Sequence, residues 1–458
     1  MTLDAHRLFP SDPRLRAIAA ELFELTQALP IISPHGHVDP TMLLDNLAFS
    51  DPASLFVTHD HYVTRVLMSA GLDVPGLLAE GSRALWRAVV ENWHRYAGTA
   101  SAYWLNHELE TLFGIDLENV GDPDALFDTI STQLRDDAFR PRALFEAFGI
   151  EVLATTDDPM DELAAHAALA ADAAFGGRVI PTFRPDAYLD PAHPLFSEKI
   201  ALLADWAGTP ADDYAGYLRA LEGRRAHFAM HGAVSTDHGM LEPYTTELST
   251  MEAAAIYRRA VAGTASAAES REFAGHMLMQ MARMSVDDGL VMTIHPGVLR
   301  NHSAEAFARL GADSGHDIPV ATTFTENLRP LLQRYGLEKN FQLVLFSVDE
   351  SAYSREIAPL AGFYSSVFVG APWWFLDAPE ATLRFRAAVT ETTGFYKGSG
   401  FIDDTRAFLS IPARHDMARR LDASYLARLV GDGRLSLAAA SRIAVDLVID
   451  VPRRAFKL

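Results

Sequence analysis

Short apolar runs alternate with helical stretches along most of the chain, and this alternation predicts the fold. From Gly149 onward the runs with strand-like composition are residues 151–155, 178–183, 227–234, 290–294, 343–348, 366–369 and 400–402. Residues 29–32 add an eighth run near the start of the chain. Several runs are almost continuously apolar, which is typical of parallel strands that are buried on both faces. Eight such strands with helices between them predict an α/β fold, a (β/α)8 barrel of the TIM type.

A long segment between the first two predicted strands, residues 39–148, departs from this alternation. In residues 82–94 the apolar side chains recur at a helical spacing, and many of the side chains there are aromatic. An ordinary connection between a strand and the next helix has only a few residues. We therefore divide the chain into residues 1–38 (a helix and the first strand), an all-helical insertion at 39–148, and the rest of the barrel at 149–458.

Chemically versatile side chains follow the predicted strands at their carboxyl ends. They include His35, His37, Asp157, Arg184, Asp237, His238, His295, Asp349, Trp373, Trp374, Asp404 and Arg406. In a (β/α)8 barrel the carboxyl ends of the strands build the active site. Loops are polar in most proteins, which explains aspartate at these ends but explains histidine, arginine and tryptophan poorly. The pattern therefore predicts an active site at this end of the strands.

The pair His35 and His37, separated by Gly36, directly follows the first apolar run. In an extended backbone residues i and i+2 point to the same side, so both imidazoles could reach one ion. Histidine pairs also occur by chance on surfaces, but the position at a strand end favours a metal site. The chain has no cysteine, so a metal would be held by His, Asp or Glu, which suits zinc, manganese or similar ions.

Composition and charge exclude several classes of protein. A chain of 458 residues that is 49% hydrophobic fits a soluble globular enzyme. Its formal net charge of −21 argues against binding to nucleic acid or to an anionic membrane. The charged N-terminus is not that of a signal peptide, and no stretch approaches the ~20 apolar residues of a membrane span. We expect a cytoplasmic protein, consistent with the absence of cysteine, that forms a homo-oligomer.

Seven short motifs along the chain together resemble one family, uronate isomerase (glucuronate isomerase) of the amidohydrolase superfamily. The motifs are PHGH at residues 34–37, DHY at 60–62, TTDDP at 155–159, RPD at 184–186, STDHG at 235–239, WW at 373–374 and DTR at 404–406. The resemblance extends over essentially the whole chain and includes the helical insertion. It implies a distorted (β/α)8 TIM-type barrel. It also implies interconversion of D-glucuronate with D-fructuronate and of D-galacturonate with D-tagaturonate, in uronic acid catabolism.

The resemblance also implies roles for individual residues. Those expected to bind one divalent metal, with zinc as the first expectation, are His35, His37 and Asp404. Those expected to act in catalysis are Asp404 as the base, with Arg406, His61 and Tyr62. Those expected to bind the substrate are Arg184, His238, His295, Trp374 and Arg355. Whether turnover needs the metal is left open.

Isomerisation of a uronic acid needs a base for the C2 proton and a return of a proton to C1. One carboxylate can do both through a cis-enediol, and Asp404 is the candidate. The enediolate oxygens need positive charge or donors, which the metal, Tyr62 and Arg406 could supply. A planar guanidinium holds the substrate carboxylate best, and the candidates for this role are Arg184, Arg355 and Arg406.

Two other functions stay open from the sequence alone. One is a mononuclear metal-dependent hydrolase of the same superfamily, a lactonase or amidase, and the other is a sugar-acid binding protein without activity. Hydrolytic members usually carry lysine or glutamate at the fourth strand and histidines at the fifth and sixth. Here the fourth predicted strand ends in Asp237 and His238, and the sixth ends at Asp349 without histidine. A single metal and the isomerase function are therefore the leading expectations.

Overall fold

The computed structural model describes residues 3–58 and 60–458 and has an α/β fold built on parallel strands. The strands are β1 Ile31–Ser33, β2 Ile150–Ala154, β3 Arg178–Ile180, β4 Ser235–Met240, β5 Val291–Pro296, β6 Val298–Leu299, β7 Ile318–Pro319, β8 Leu343–Leu345 and β9 Val367–Val369. Two parallel sheets have the orders β1-β2-β3 and β4-β5-β8-β9, and β6 pairs with β7 antiparallel. An isolated parallel bridge between Phe183 and Thr236 joins the two parallel sheets.

Most predicted strands are present with bounds shifted by a few residues, but two predictions are wrong. Residues 227–234 belong to the end of a helix, Tyr214–Met230, and the turn after it, and the strand begins at Ser235. The apolar run there includes a buried helix residue, Phe228, whereas the true strand buries the polar side chains of Thr236 and Asp237. Residues 400–402 form no strand in the described structure, where Gly398 makes an isolated bridge to Val369 instead.

The described residues between β1 and β2 form helices and no strand. The helices up to β2 are α1 Pro13–Glu24, α2 Pro40–Asp45, α3 Pro52–Phe56, α4 His61–Ser69, α5 Val74–Glu80, α6 Ser82–Glu91, α7 Ala100–Phe113, α8 Pro123–Gln133 and α9 Pro141–Ala147. Several begin with aspartate followed by proline, as at Asp39 and Asp122, whose carboxylates accept backbone N–H groups of the first turn. Aspartate is a favoured N-cap and proline is pre-organised at the first helical position, so the sequence fixes these starts.

The remaining helices alternate with the later strands and complete the chain. They are α10 Ala164–Ala171, α11 Asp186–Leu189, α12 Phe196–Ala207, α13 Tyr214–Met230, α14 Thr250–Val261, α15 Ala267–Asp288, α16 Ala304–Leu310, α17 Arg329–Tyr335, α18 Glu350–Ala352, α19 Ala358–Phe363, α20 Pro379–Thr393, α21 Ser410–Gly431, α22 Leu437–Val448 and α23 Asp450–Phe456. Within the described ranges we find no helix whose length and apolar character would suffice to cross a bilayer.

The strands bury both of their faces, and this leaves their carboxyl ends for the site. One face packs on the surrounding helices through side chains such as Met292, Ile294, Leu343 and Leu345. The other face packs against α23 through Val291, Val344 and Phe368. The amide of Gln342 donates to Arg454 O (2.9 Å), and the Lys457 ammonium donates to Gly289 O (2.8 Å). Since Gln342 and Gly289 precede β8 and β5, the C-terminal residues cover the amino ends of the strands.

Candidate active site

A cavity at the carboxyl ends of the strands brings most of the predicted site residues together. The predicted residues that line it are His35, His37, His61, Tyr62, Arg184, His295, Trp374, Asp404 and Arg406. His37 N donates a hydrogen bond to Thr405 O (3.0 Å), which holds the segment after β1 against the segment that carries Asp404. The first and last parts of the predicted barrel therefore meet at this cavity.

His35, His37 and Asp404 form a group that fits a divalent metal ion. Asp404 Oδ1 lies 2.9 Å from His37 Nε2 and 3.5 Å from His35 Nε2. This oxygen is buried, and its contacts with the two imidazoles lack the geometry of a hydrogen bond. Two imidazoles and a carboxylate that converge in this way match the ligands of zinc and related ions. Burial would raise the pKa of Asp404, but the two imidazoles lower that pKa well below its ordinary value.

The backbone of two cavity residues is held in the left-handed region. Asp404 has φ of 44° and Trp374 has φ of 53°. Residues with a Cβ rarely adopt this conformation, which costs of order 1–3 kcal/mol and persists only where the surrounding structure imposes it. The surrounding fold therefore holds the backbone of both residues in this conformation. In Asp404 this backbone conformation occurs where the carboxylate lies next to the two imidazoles.

Asp237 of β4 links His295 of β5 to Arg184, which follows β3. Its Oδ1 lies 2.7 Å from His295 Nδ1, and its Oδ2 lies 3.4 Å from Arg184 Nη1. The His295 ring stacks on the His35 ring, with centroids 4.8 Å apart. Burial would raise the pKa of Asp237, but Arg184 and the imidazoles of His295 and His35 lower it well below its ordinary value. Asp237 is therefore a buried anion that orients both neighbours.

A second group of possible metal ligands adjoins the first. Among the described residues the donor atoms of His35, Asp237 and His295 also lie within 4.8 Å of one another. His35 belongs to both groups, and His295 Nε2 is buried without a hydrogen-bond partner in the described part of the chain. The structure thus supports the prediction that divalent metal binds at this end of the strands, and the identity of the ion stays a prediction.

His61 and Tyr62 reach the cavity from the first turn of α4. The carboxylate of the N-cap residue Asp60 accepts the N–H of Tyr62 (2.8 Å), which fixes this turn. The His61 ring stacks on the Tyr62 ring at 4.9 Å and lies 5.5 Å from the Trp374 ring. Burial lowers the pKa of His61 to about 4, so its ring is neutral at pH 7. Burial, together with Asp377, raises the pKa of Tyr62 well above its ordinary value, so the phenol keeps its proton.

Arg406 and Arg300 share the carboxylate of Asp313 at the exposed side of the cavity. Arg406 Nη2 lies 2.7 Å from Asp313 Oδ2, and Arg300 Nη1 lies 3.1 Å from Asp313 Oδ1. The Arg300 guanidinium also lies 4.4 Å from the centroid of a Trp374 ring. The Arg406 side chain is 45% exposed, so its guanidinium is accessible to an anionic or hydroxyl-rich ligand. Such a ligand would compete with Asp313 for the Arg406 guanidinium.

Comparisons with known proteins agree with this geometry. The family model described as glucuronate isomerase matches residues 14–456. The chain belongs to the glucuronate isomerase family. A uronate isomerase from Corynebacterium efficiens is 50% identical over 459 residues, which cover 99% of this chain and 98% of that protein.

Solved structures of the glucuronate isomerase family share the fold over nearly the whole chain. The crystal structure of glucuronate isomerase from Caulobacter crescentus superposes with a TM-score of 0.95 at 43% identity, and the match covers 99% of this chain and 96% of that one. The uronate isomerase from Thermotoga maritima gives a TM-score of 0.93 at 26% identity over 100% of both chains. The arrangement of strands and helices described above is therefore that of the family.

Two residues that were predicted to bind the substrate, His238 and Arg355, lie away from the cavity. His238 follows Asp237 in an extended strand, so its side chain points to the opposite face of the strand. There His238 Nδ1 lies 2.9 Å from Thr293 O, and the ring lines a separate cavity between β4 and α15. The side chain of Arg355 is 55% exposed and pairs with Glu356 (2.8 Å). The structure therefore does not bring His238 or Arg355 to the site.

Five charged residues of the cavity were not among the predicted site residues: Asp60, Asp237, Arg300, Asp313 and Arg414. Strand alternation would have selected Asp237 over His238, had the strand been placed at Ser235 rather than before it. Asp60 directly precedes His61 and Tyr62 in the sequence, which could have indicated it. Arg300, Asp313 and Arg414 carry no such signal, because each comes from a loop or from α21 and reaches the cavity only through the tertiary fold.

Proposed function

We propose that this protein is a uronate isomerase that interconverts D-glucuronate with D-fructuronate and D-galacturonate with D-tagaturonate. The observation that carries the proposal is the convergence of the Asp404 carboxylate, the Tyr62 phenol and the guanidinium of Arg406 in one cavity. Family membership over nearly the whole chain supports the same reaction. An aldose–ketose isomerisation needs these three kinds of group and no redox cofactor, because the hydrogen moves within the substrate.

In this proposal Asp404 is the base that moves the proton between C2 and C1. Its low pKa keeps the carboxylate ionised at neutral pH, so it is ready to accept the C2 proton. The same oxygen then returns the proton to C1 on the same face of a cis-enediol. A positioned general base of this kind typically contributes ~10²–10⁴-fold to a rate.

Arg406 and Tyr62 would bind the oxygens at C1 and C2, on which negative charge develops. The high pKa of Tyr62 keeps a proton on the phenol, and because that proton is donated to Asp377, the phenol oxygen would accept a hydrogen bond from the hydroxyl at C1 or C2. Arg406 comes two residues after the base, so we assign its guanidinium to the hydroxyl groups around C2. The neutral ring of His61, stacked on Tyr62, would accept or donate a hydrogen bond to a further hydroxyl.

Arg184 is our candidate for the substrate carboxylate. Its guanidinium is fixed by Asp186 (2.9 Å) and by Asp237 (3.4 Å). Burial works against the charge of Arg184, but the two carboxylates raise its pKa above the ordinary value. A planar, permanently charged guanidinium can hold a carboxylate through two parallel hydrogen bonds. His295 and Trp374 would complete the walls of the substrate cavity.

His35, His37 and Asp404 would hold the divalent metal, for which zinc stays the first expectation. When bound, the ion would supply positive charge next to the substrate oxygens. Because its ligands must be deprotonated, we expect metal affinity to fall as the pH falls. The roles of the residues above do not depend on which ion is bound.

The proposal is tested by incubating the metal-loaded protein with D-glucuronate and with D-galacturonate and following the ketose products by proton NMR. Replacing Arg184 by Gln should raise KM strongly, whereas Arg355→Gln, a matched change outside the cavity, should leave both constants within about two-fold of wild type. A lactone of D-glucuronate offered as substrate tests for hydrolysis. Hydrolysis of the lactone without conversion of either uronate would reject the isomerase proposal.

The wider organisation of the chain also remains a proposal. We infer a distorted (β/α)8 barrel, because seven parallel strands follow one another in a single order once the bridge at Phe183 is included. Residues 1–38 would supply a helix and the first strand, residues 39–148 the helical insertion, and residues 149–458 the rest of the barrel. The cytoplasmic location and the homo-oligomer stay predictions from the sequence.

A further inference from the structure

A buried ion pair lies directly behind the phenol of Tyr62. The Tyr62 hydroxyl donates a hydrogen bond to Asp377 Oδ2 (3.1 Å), and Arg414 Nη1 donates to the same oxygen (2.7 Å). Asp377 is 5% exposed and Arg414 is 2% exposed, so both charges are shielded from solvent. A shared acceptor oxygen therefore connects the phenol to a guanidinium inside the protein.

Arg414 is itself held from three sides. Its Nε donates to Ser410 Oγ (3.0 Å), one turn earlier on α21, and its Nη1 approaches Asp403 O (3.4 Å). Its guanidinium also lies 3.6 Å from the centroid of a Trp104 ring, which belongs to α7 of the helical segment. The ion pair is therefore anchored to α21, to the residue before the proposed base and to the helices that carry Tyr62.

The ring of Tyr62 has packing partners of its own, but its hydroxyl depends on Asp377. The ring stacks on His61 and meets the Trp104 ring edge-on at 5.6 Å. These contacts fix the plane of the ring and leave the direction of the O–H bond free. Within the described residues, the acceptor for the Tyr62 hydroxyl is Asp377 Oδ2, so this contact sets where the phenolic proton and lone pairs point.

We propose that Asp377 and Arg414 are positioning residues that hold the Tyr62 phenol in the orientation needed at the substrate oxygens. The inference rests on the proposed function, in which Tyr62 binds the substrate at the C1 and C2 oxygens. With its proton donated to Asp377, the phenol oxygen directs its lone pairs toward those oxygens and their hydroxyl protons. Neither residue has to touch the substrate: Asp377 acts through Tyr62, and Arg414 acts through Asp377. Displacements of about 1 Å at a reacting group can change a rate by ~10²-fold, so a buried pair of this kind would affect turnover.

A double-mutant cycle tests this dependence on Tyr62. The four proteins are wild type, Asp377→Asn, Tyr62→Phe and the double variant, each assayed with D-glucuronate. We expect Asp377→Asn to lower kcat by about 10- to 100-fold and to leave KM within about three-fold, because the loss is in orientation rather than in binding. In the Tyr62→Phe background the same substitution should change kcat by less than about two-fold, since no hydroxyl remains to be positioned.

The chain offers a matched control for the loss of a buried ion pair. Arg386 of α20 and Asp422 of α21 form a pair of the same chemistry, with Arg386 Nη2 2.8 Å from Asp422 Oδ2 and both side chains about 10% exposed. Neither residue lines the cavity. Asp422→Asn should lower stability to denaturant but leave kcat within about two-fold of wild type.

Asp377→Asn leaves a buried guanidinium without its partner, and such a change can prevent folding. In that event we would use the double substitution Asp377→Leu and Arg414→Met, which removes both charges. Its effect on kcat is measured with tyrosine and with phenylalanine at position 62, and the same changes in kcat are expected. The inference is overturned if the variant keeps the wild-type kcat. It is also overturned if the substitution lowers kcat by the same factor with phenylalanine at position 62 as with tyrosine. Absence of uronate turnover in the wild-type protein would instead reject the proposed function.

Discussion

The buried side chain of Glu108 in α7 makes the free energy of unfolding depend on pH, and the size of this effect follows from its surroundings. The side chain belongs to a residue that is 3% exposed, in a helix that packs next to α21. Burial raises the pKa of Glu108 to about 8, and the nearby carboxylate of Asp60 acts in the same direction. At neutral pH the folded protein therefore carries Glu108 mainly as the neutral acid, whereas the unfolded chain carries it as the carboxylate. We predict that Glu108→Gln, which mimics the neutral acid, removes this difference.

The sign of the effect follows from proton linkage. A carboxyl group whose pKa is raised on folding contributes stability that is fully present below its unfolded pKa, near 4.5, and is lost as the pH rises through about 8. At about 1.4 kcal/mol per pKa unit, the contribution changes by about 4 kcal/mol between pH 5 and pH 9. Wild type should therefore lose this amount over the interval, and Glu108→Gln should not.

The measurement is the free energy of unfolding in urea for wild type and for Glu108→Gln at pH 5, 7 and 9. Taking the difference between the two proteins cancels the other groups that titrate over this range. The matched control is Glu91→Gln, at the exposed end of α6, for which the difference should stay near zero at each pH. A difference for Glu108→Gln that is the same at pH 5 and pH 9 would refute the assignment of a neutral buried acid.

Three further predictions concern the site. Asp404→Asn should lower kcat for D-glucuronate by ~10²–10⁴-fold, and a fall of less than about ten-fold would argue against its role as the base. Removal of metal by a chelator should lower the midpoint of thermal unfolding, because an ion that binds only the folded state stabilises it. Adding zinc should restore the midpoint. An unchanged midpoint after chelation would argue against the site at His35 and His37. Asp313→Asn should lower KM by about two- to five-fold, because it frees Arg406 from an exposed ion pair worth ~0.5–1 kcal/mol. A raised KM would show instead that Asp313 positions Arg406.

The sequence predicted the parts of the molecule that depend on local pattern. The apolar run before His35 and the spacing of His35 and His37 sufficed to place a strand with two imidazoles at its end. The helical periodicity of the segment after β1 likewise predicted helices that the structure contains. These features follow from backbone geometry over a few residues, so one sequence is enough to find them.

Features that depend on tertiary contacts were missed. β4 was misplaced because its buried residues, such as Thr236 and Asp237, are polar and gain their partners only in the fold. Asp313 contacts Arg406 across 93 residues of sequence, and Asp377 contacts Tyr62 across 315. No local spacing predicts such contacts. His238 was selected in place of Asp237 because an error of a few residues in a strand boundary hides which side chains face inward.

The most direct test of the central claim follows the hydrogen at C2. D-glucuronate deuterated at C2 is converted by wild type and by Asp404→Asn, and NMR locates the deuterium in the product. We predict that wild type forms D-fructuronate with part of the deuterium carried to C1, while Asp404→Asn forms almost none. Undiminished conversion by Asp404→Asn, or no conversion by the metal-loaded wild-type protein, would contradict the account.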